Sequence, residues 1–245
     1  MKNYLSFGGG VNSVALYLLM EQLGIEFEAV FVDHGGDWPE TYEYVDYFIK
    51  TGRPVTILHP EAGTREKRTF SKIVDYLEFK RILPSKKKKG RFCTDRFKIV
   101  PFNKYAVRPC FVFIGFASDE SERAQMSSTK GIEYRWPLIE NEINRQGCIE
   151  IIIDAGLVVP RKSGCYLCPF QGRREYLELR KKHPDLFCRV SKIEKAQNKR
   201  VTKEGNQWKP YYLAGDGPLS EIVNDRQRAL PGLEDMEYPP CQCGL

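Results

Sequence analysis

Long apolar runs are absent from this chain of 245 residues: no stretch approaches the roughly 18 residues that span a bilayer. The N-terminus lacks the charged start, extended apolar stretch and small-residue cleavage site of a secretory signal peptide. Together these absences predict a cytoplasmic protein with no membrane partner. Internal repeats are missing, and the run Lys86-Lys87-Lys88-Lys89 is the one low-complexity tract, so repeat architectures do not apply. Neither common glycine-rich nucleotide fingerprint occurs. No Gly-Lys-Ser/Thr follows the N-terminal glycines, and their spacing is not that of the dinucleotide pattern.

Hydrophobic content of 42% and charged content of 29% are those of a globular protein. The length suffices for one sizeable α/β core with a smaller appendage. A net charge of +6 suits a polyanion, and a nucleotide or a nucleic acid would both qualify. The lysine run, beside Gly90 and Arg91, supplies much of that excess; it reads first as a solvated loop and second as a contact for a phosphate chain. Eight cysteines are many for a reducing compartment, which points them toward metal or redox roles rather than disulfides.

Apolar, β-rich segments at 5–7, 27–32, 55–58 and 111–116 alternate with amphipathic stretches at 13–23 and 39–50, the latter opening on Pro39. Residues 148–155 suit a strand by their isoleucines. They suit a helix better by Glu150 and Asp154 at i,i+4 and by the following Gly156. Alternating strands and helices predict an α/β fold with a doubly wound, mostly parallel sheet. From about Val159 the pattern turns helical, at 173–182 and 185–199, which predicts an N-terminal α/β domain (1–158) and a helical, Cys-containing C-terminal region (159–245).

The stretch Ser6-Phe7-Gly8-Gly9-Gly10-Val11-Asn12-Ser13 joins the first strand to the first helix. Glycines allow close backbone approach, and the first amides of a helix lack internal partners, so such a turn can hold an anion. In an open parallel sheet, ligands bind beyond the carboxyl ends of the strands. Residues 8–13, 33–37 and 116–123 all follow strands on that edge.

In that order, the glycine turn, Val32-Asp33-His34-Gly35, Cys93-Thr94 with Lys98-Ile99-Val100-Pro101, and Gly115-Phe116-Ala117-Ser118-Asp119-Glu120-Ser121-Glu122-Arg123 resemble the landmarks of the phosphoadenosine-phosphosulfate (PAPS) reductase family, within the PP-loop adenine nucleotide α-hydrolase superfamily. The resemblance implies an adenine-nucleotide site at Ser6, Gly8, Gly9, Gly10, Asn12, Ser13, Asp33, Glu120, Ser121 and Arg123. Two positions depart from the family pattern: Gly8 replaces its first Ser, and Asn12 replaces its Asp. The second removes a carboxylate that could orient Mg2+, while the anion-binding amides remain. Asp33 could equally cap a turn, and residues 118–123 could equally be a helix start with Ser118 and Asp119 as caps.

Cys165-Tyr166-Leu167-Cys168 is a C-x-x-C whose thiolates can grip one metal centre. With Cys93 and the C-terminal pair, the resemblance implies a 4Fe-4S cluster on Cys93, Cys165, Cys168 and one of Cys241 and Cys243, which is Cys241 if Cys243 is catalytic, with structural zinc as the alternative. It also implies Cys243 as a nucleophile toward a sulfonyl sulfur. Cys110, Cys148 and Cys188 read as structural. The expected function is therefore a sulfonucleotide reductase acting on adenylylsulfate (APS) or PAPS, with a thiol donor such as thioredoxin. One alternative is an ATP-dependent sulfur transferase acting on tRNA or DNA; another is a nucleotide-sensing module without turnover. A homo-oligomer is compatible with each.

Overall fold

Side chains on successive residues of a strand point to opposite faces, and here both faces are covered. In β1 (Lys2–Ser6), Tyr4 enters one core and Leu5 another. β2 (Glu28–Val32) repeats the division, with Ala29 and Phe31 on the Leu5 side and Val30 and Val32 on the Tyr4 side. The computed structural model describes residues 1–86, 91–124, 129–203, 209–215 and 217–222. Lys87, Lys88 and Lys89 of the lysine run, together with Cys241 and Cys243, lie outside them.

Five strands form one parallel sheet in the order β3-β2-β1-β6-β7, where β3 is Thr56–Leu58, β6 Cys110–Ile114 and β7 Ile132–Arg135. Leu5 pairs with Ala29 on one side and Phe113 on the other. The helices α1 (Val11–Gln22) and α2 (Pro39–Lys50) cover the Leu5 face. The opposite face packs on Phe102 and Ala106, at and just beyond a short helix over Val100–Tyr105. The sheet is thus doubly wound, as the alternating pattern predicts. Strand order reverses at β1, between β2 and β6, which opens a crevice at the carboxyl ends of β1 and β6.

Several elements differ from the sequence expectation. β7 is an edge strand with one buried residue, Ile132, and too little apolar alternation to stand out. The excursion after β3 holds a two-stranded hairpin, β4 (Ala62–Gly63) with β5 (Thr69–Phe70), and α3 (Ile73–Lys80). It continues through α4 (Phe92–Thr94) and a π-helical turn over Asp95–Ile99 into α5, the Val100–Tyr105 helix. Residues 118–123 form a 3-10 helix capped at Ala117, so Ser118 and Asp119 do not serve as side-chain caps. After α6 (Pro137–Glu140), α7 runs over Arg145–Asp154, confirming helix at this ambiguous stretch; Asn144 caps it by accepting from the Gly147 amide at 2.9 Å.

The C-terminal helices α8 (Arg173–Lys182) and α9 (Pro184–Lys203) are strongly amphipathic. Their apolar faces share a core with the excursion: Tyr176, Leu179, Val190 and Ile193 pack with Ile73, Leu77 and Phe97. Cys165, Tyr166 and Leu167 belong to this same core. Among the described residues, no helix is long and apolar enough to cross a membrane.

Candidate functional site

The glycine turn is shaped by its neighbours. Gly9 has φ +66°, in the left-handed region, and a Cβ there would lie 3.0 Å from the Val45 side chain and 3.2 Å from that of Thr41. Gly10 caps α1: the Ser13 hydroxyl donates to the Gly10 carbonyl at 2.9 Å and accepts from the Gly10 amide at 3.2 Å. The amides of Val11, Asn12 and Ser13, in the first turn of α1, have no partner within the helix. Gly115, just after β6, lets the end of that strand approach this turn, since a Cβ on it would fall 2.8 Å from the Asn12 carbonyl oxygen.

A cavity of about 450 Å³ opens in the crevice. Ser6, Gly8, Gly10, Asn12 and Ser13 line one wall, and Glu120 and Arg123 line another. Lys98 and Arg145 bring further positive charge from distant segments, against Asp37, Asp119 and Glu120, while Lys162 at the rim pairs with the buried Glu175 carboxylate at 3.1 Å. Buried Glu120 is held on both oxygens: the Asn12 amide donates to one at 2.7 Å, and the Arg123 guanidinium pairs with the other. Arg123 also lies over the Phe116 ring, 4.4 Å from its centroid.

Three expected site residues do not line the cavity. Gly9 faces α2. The Asp33 carboxylate accepts from the Gly35 amide at 2.8 Å and lies 3.6 Å from the His59 ring, so it closes a turn. Ser121 is exposed on the 3-10 helix. Conversely, Lys98, Arg145, Lys162 and Ser163 escaped sequence reasoning. Only Lys98 had a signal, its place in the Cys93-Thr94 landmark.

The C-x-x-C turn sits beside this cavity. Cys168 donates its amide to the Cys165 carbonyl at 2.9 Å, and the turn is pinned to the loop after β2 by Tyr166 N–H to Gly36 O at 2.9 Å and Trp38 N–H to Gly164 O at 3.1 Å. Lys162, Ser163 and Gly164 line both the cavity and a small recess containing Cys165 and Cys168. Cys93, Cys165 and Cys168 lie within one another's electrostatic reach. Burial pushes the Cys165 thiol well up, with Asp37 and Cys168 adding to it. Burial also raises Cys168, with Cys93 adding and the Phe170 amide opposing. Close by, burial lowers the pKa of His34 despite Asp37, so its imidazole is neutral, with Nδ1 accepting from the Gly36 amide at 3.0 Å.

Soft metals take cysteine as the thiolate, whereas burial favours the protonated form of both these thiols. Among the described residues, no group of three His, Cys, Asp or Glu side chains closes on a single metal ion. The expected fourth ligand, Cys241, and the expected nucleophile, Cys243, lie outside the described residues. Cys110 and Cys148 are buried in the core, whereas Cys188 is exposed on α9.

No family model matches the chain. It is 32% identical over 157 residues to an uncharacterised nin region protein of Escherichia phage lambda, covering 55% of this chain and 53% of that protein. It is 25% identical over 209 residues to an uncharacterised protein of Methanocaldococcus jannaschii, covering 76% of this chain and 46% of that protein. The chain therefore spans about half the length of the curated relatives it matches. Among solved structures, the phosphate complex of a phosphoadenylyl-sulfate (PAPS) reductase from Candida auris is similar with a TM-score of 0.49 and 13% identity, over 65% of this chain and 75% of that chain.

Proposed function

We propose that this protein is an adenine-nucleotide-binding enzyme of sulfur chemistry, reducing a sulfonucleotide such as APS or PAPS. One observation carries this assignment: the cavity at the glycine turn and the cysteine recess share the wall formed by residues 162–164. A nucleotide whose phosphate or phosphosulfate rests on the α1 amides would have its reactive end near thiols.

Lys98 and the α1 amides would offset the ligand's charge, with Arg123, itself paired with Glu120, presenting a planar fork suited to phosphate and sulfate. Cys93, Cys165 and Cys168, with Cys241, would hold a 4Fe-4S cluster, which would supply local positive potential and redox capacity when bound. In the reductase form, the Cys243 thiolate would attack the sulfonyl sulfur, the sulfur–oxygen bond to phosphate would break, and the electron pair would leave on the phosphate of AMP (from APS) or of adenosine 3′,5′-bisphosphate (from PAPS). An external dithiol of the thioredoxin type then attacks Cys243 Sγ. Sulfite departs with the sulfur–sulfur electron pair, and the donor closes to a disulfide.

The test is anaerobic sulfite release from APS and PAPS with a dithiol donor, alongside iron and sulfide analysis. Sulfite release lost in Cys243→Ser supports the assignment, and full release in that variant removes Cys243 from it. Salt-sensitive tRNA or DNA binding with ATP-dependent pyrophosphate release would instead identify the sulfur-transferase alternative.

A further inference from the structure

Asn12 is bonded at both ends of its amide. Its Nδ2 donates to Glu120 Oε2 at 2.7 Å, and its Oδ1 accepts from Arg145 Nη1 at 2.8 Å. A carboxylate only accepts, so the Glu120 contact fixes which end of the amide faces which partner. Oδ1 must then face Arg145.

The two arginines of the cavity are consequently in different electrical states. Arg123 is paired with the Glu120 carboxylate. Arg145 also lines the cavity, and its bond is to a neutral amide; the described residues give it no carboxylate partner within ion-pair distance. Its guanidinium is therefore held beside the first turn of α1 without a direct ion pair, the Glu120 carboxylate lying on the far side of the Asn12 amide, in a partly enclosed space where charge is weakly screened.

From this geometry we infer that Arg145 is the arginine that recognises the anionic group of the ligand, and that Asn12 positions it without neutralising it. The inference rests on the anion-binding reading of the same cavity and adds a residue to it. It also explains the amide at position 12. An aspartate there would set a carboxylate against Glu120 Oε2 and would cancel Arg145 by an ion pair.

The test is equilibrium binding to the full chain of four probes: ATP, AMP, adenosine and inorganic phosphate. Arg145→Ala should weaken ATP, AMP and phosphate at least tenfold and leave adenosine within twofold, a pattern that loss of packing would not produce. Asn12→Asp should weaken the same three probes. Arg145→Lys, which keeps the charge but not the fork held by Asn12, should fall between wild type and Arg145→Ala, and it serves if the alanine variant fails to fold. Unchanged ATP, AMP and phosphate affinity in Arg145→Ala, or full affinity in Arg145→Lys, overturns the inference. If wild type binds phosphate but no adenine probe, the nucleotide assignment falls while the phosphate arm still judges Arg145. If it binds none of the four, both fall.

Discussion

Ser163 rests on Gly10: a Cβ added at Gly10 would lie 2.3 Å from the Ser163 hydroxyl oxygen and 3.0 Å from its Cβ. This contact joins the loop ahead of the C-x-x-C to the glycine turn, and it explains how one wall comes to serve both the cavity and the cysteine recess. The glycine at position 10 is required by what lies above it as much as by the turn itself.

Gly10→Ala should therefore push residues 162–164 off the turn. The expected cost is about 1–3 kcal/mol of stability, the usual range for overpacking a filled site, with weaker binding of phosphate and ATP. Removing the obstructing side chain should reverse part of the loss, so the double variant Gly10→Ala/Ser163→Gly should be more stable than Gly10→Ala alone. Urea denaturation of the four proteins of this cycle reads the coupling directly. Additive effects would mean that the two residues do not touch.

A harsher outcome is expected at Gly115. A Cβ there would meet the backbone of α1, at 2.8 Å from the Asn12 oxygen, 2.9 Å from its carbonyl carbon and 3.0 Å from the Ser13 nitrogen. Backbone atoms cannot rotate aside as the Ser163 side chain can. Gly115→Ala should cost about 2–3 kcal/mol, and the strand would have to shift away from the helix start. A thermal midpoint within a degree of wild type would contradict the close approach of β6 and α1.

The sheet and its flanking helices were legible because they obey simple patterns. Pro39 and Lys50 bound α2, and Arg173 and Lys182 bound α8, where proline at a helix start or amphipathic spacing announces the element. β7 was not legible, because an edge strand with one buried side chain carries almost no alternation. The glycine turn stood out for its backbone chemistry, yet most of the charge around it did not. Arg145 and Lys162 reach the cavity through tertiary placement of α7 and of the loop before Cys165, and no local spacing encodes that meeting. Asp33 shows the reverse case, a motif residue whose carboxylate is taken up by its own turn.

The cysteines should differ sharply in reactivity. Burial pushes Cys148 up to about 12 and leaves it no solvent exposure, whereas Cys188 is exposed on α9. Since the thiolate is the reacting species, iodoacetamide at pH 8 should label Cys188 in the native protein, and Cys148 only after unfolding. Peptide mapping by mass spectrometry checks this. Labelling of Cys148 at the rate of Cys188 would contradict its place in the core.

Glu194 offers a pH-dependent test of how the last described segment is held. Its carboxylate is 2% exposed and accepts the amide of Leu213 at 2.8 Å and that of Leu219 at 2.7 Å. Burial raises its pKa, and the two amides only partly oppose that shift. A carboxyl raised in the folded state favours folding most below the unfolded carboxyl value, about 4.3–4.5, and loses that contribution as pH rises through the folded value. Glu194→Gln does not titrate, and its single acceptor oxygen satisfies one of the two amides, so the variant should be less stable by about 1–3 kcal/mol at low pH. The gap between wild type and variant should narrow as pH rises from 4.5 to 7.5, because only wild type carries the growing cost of a buried charge. Urea denaturation of both proteins across that range measures the gap, and a constant difference would show that Glu194 does not titrate with a raised pKa.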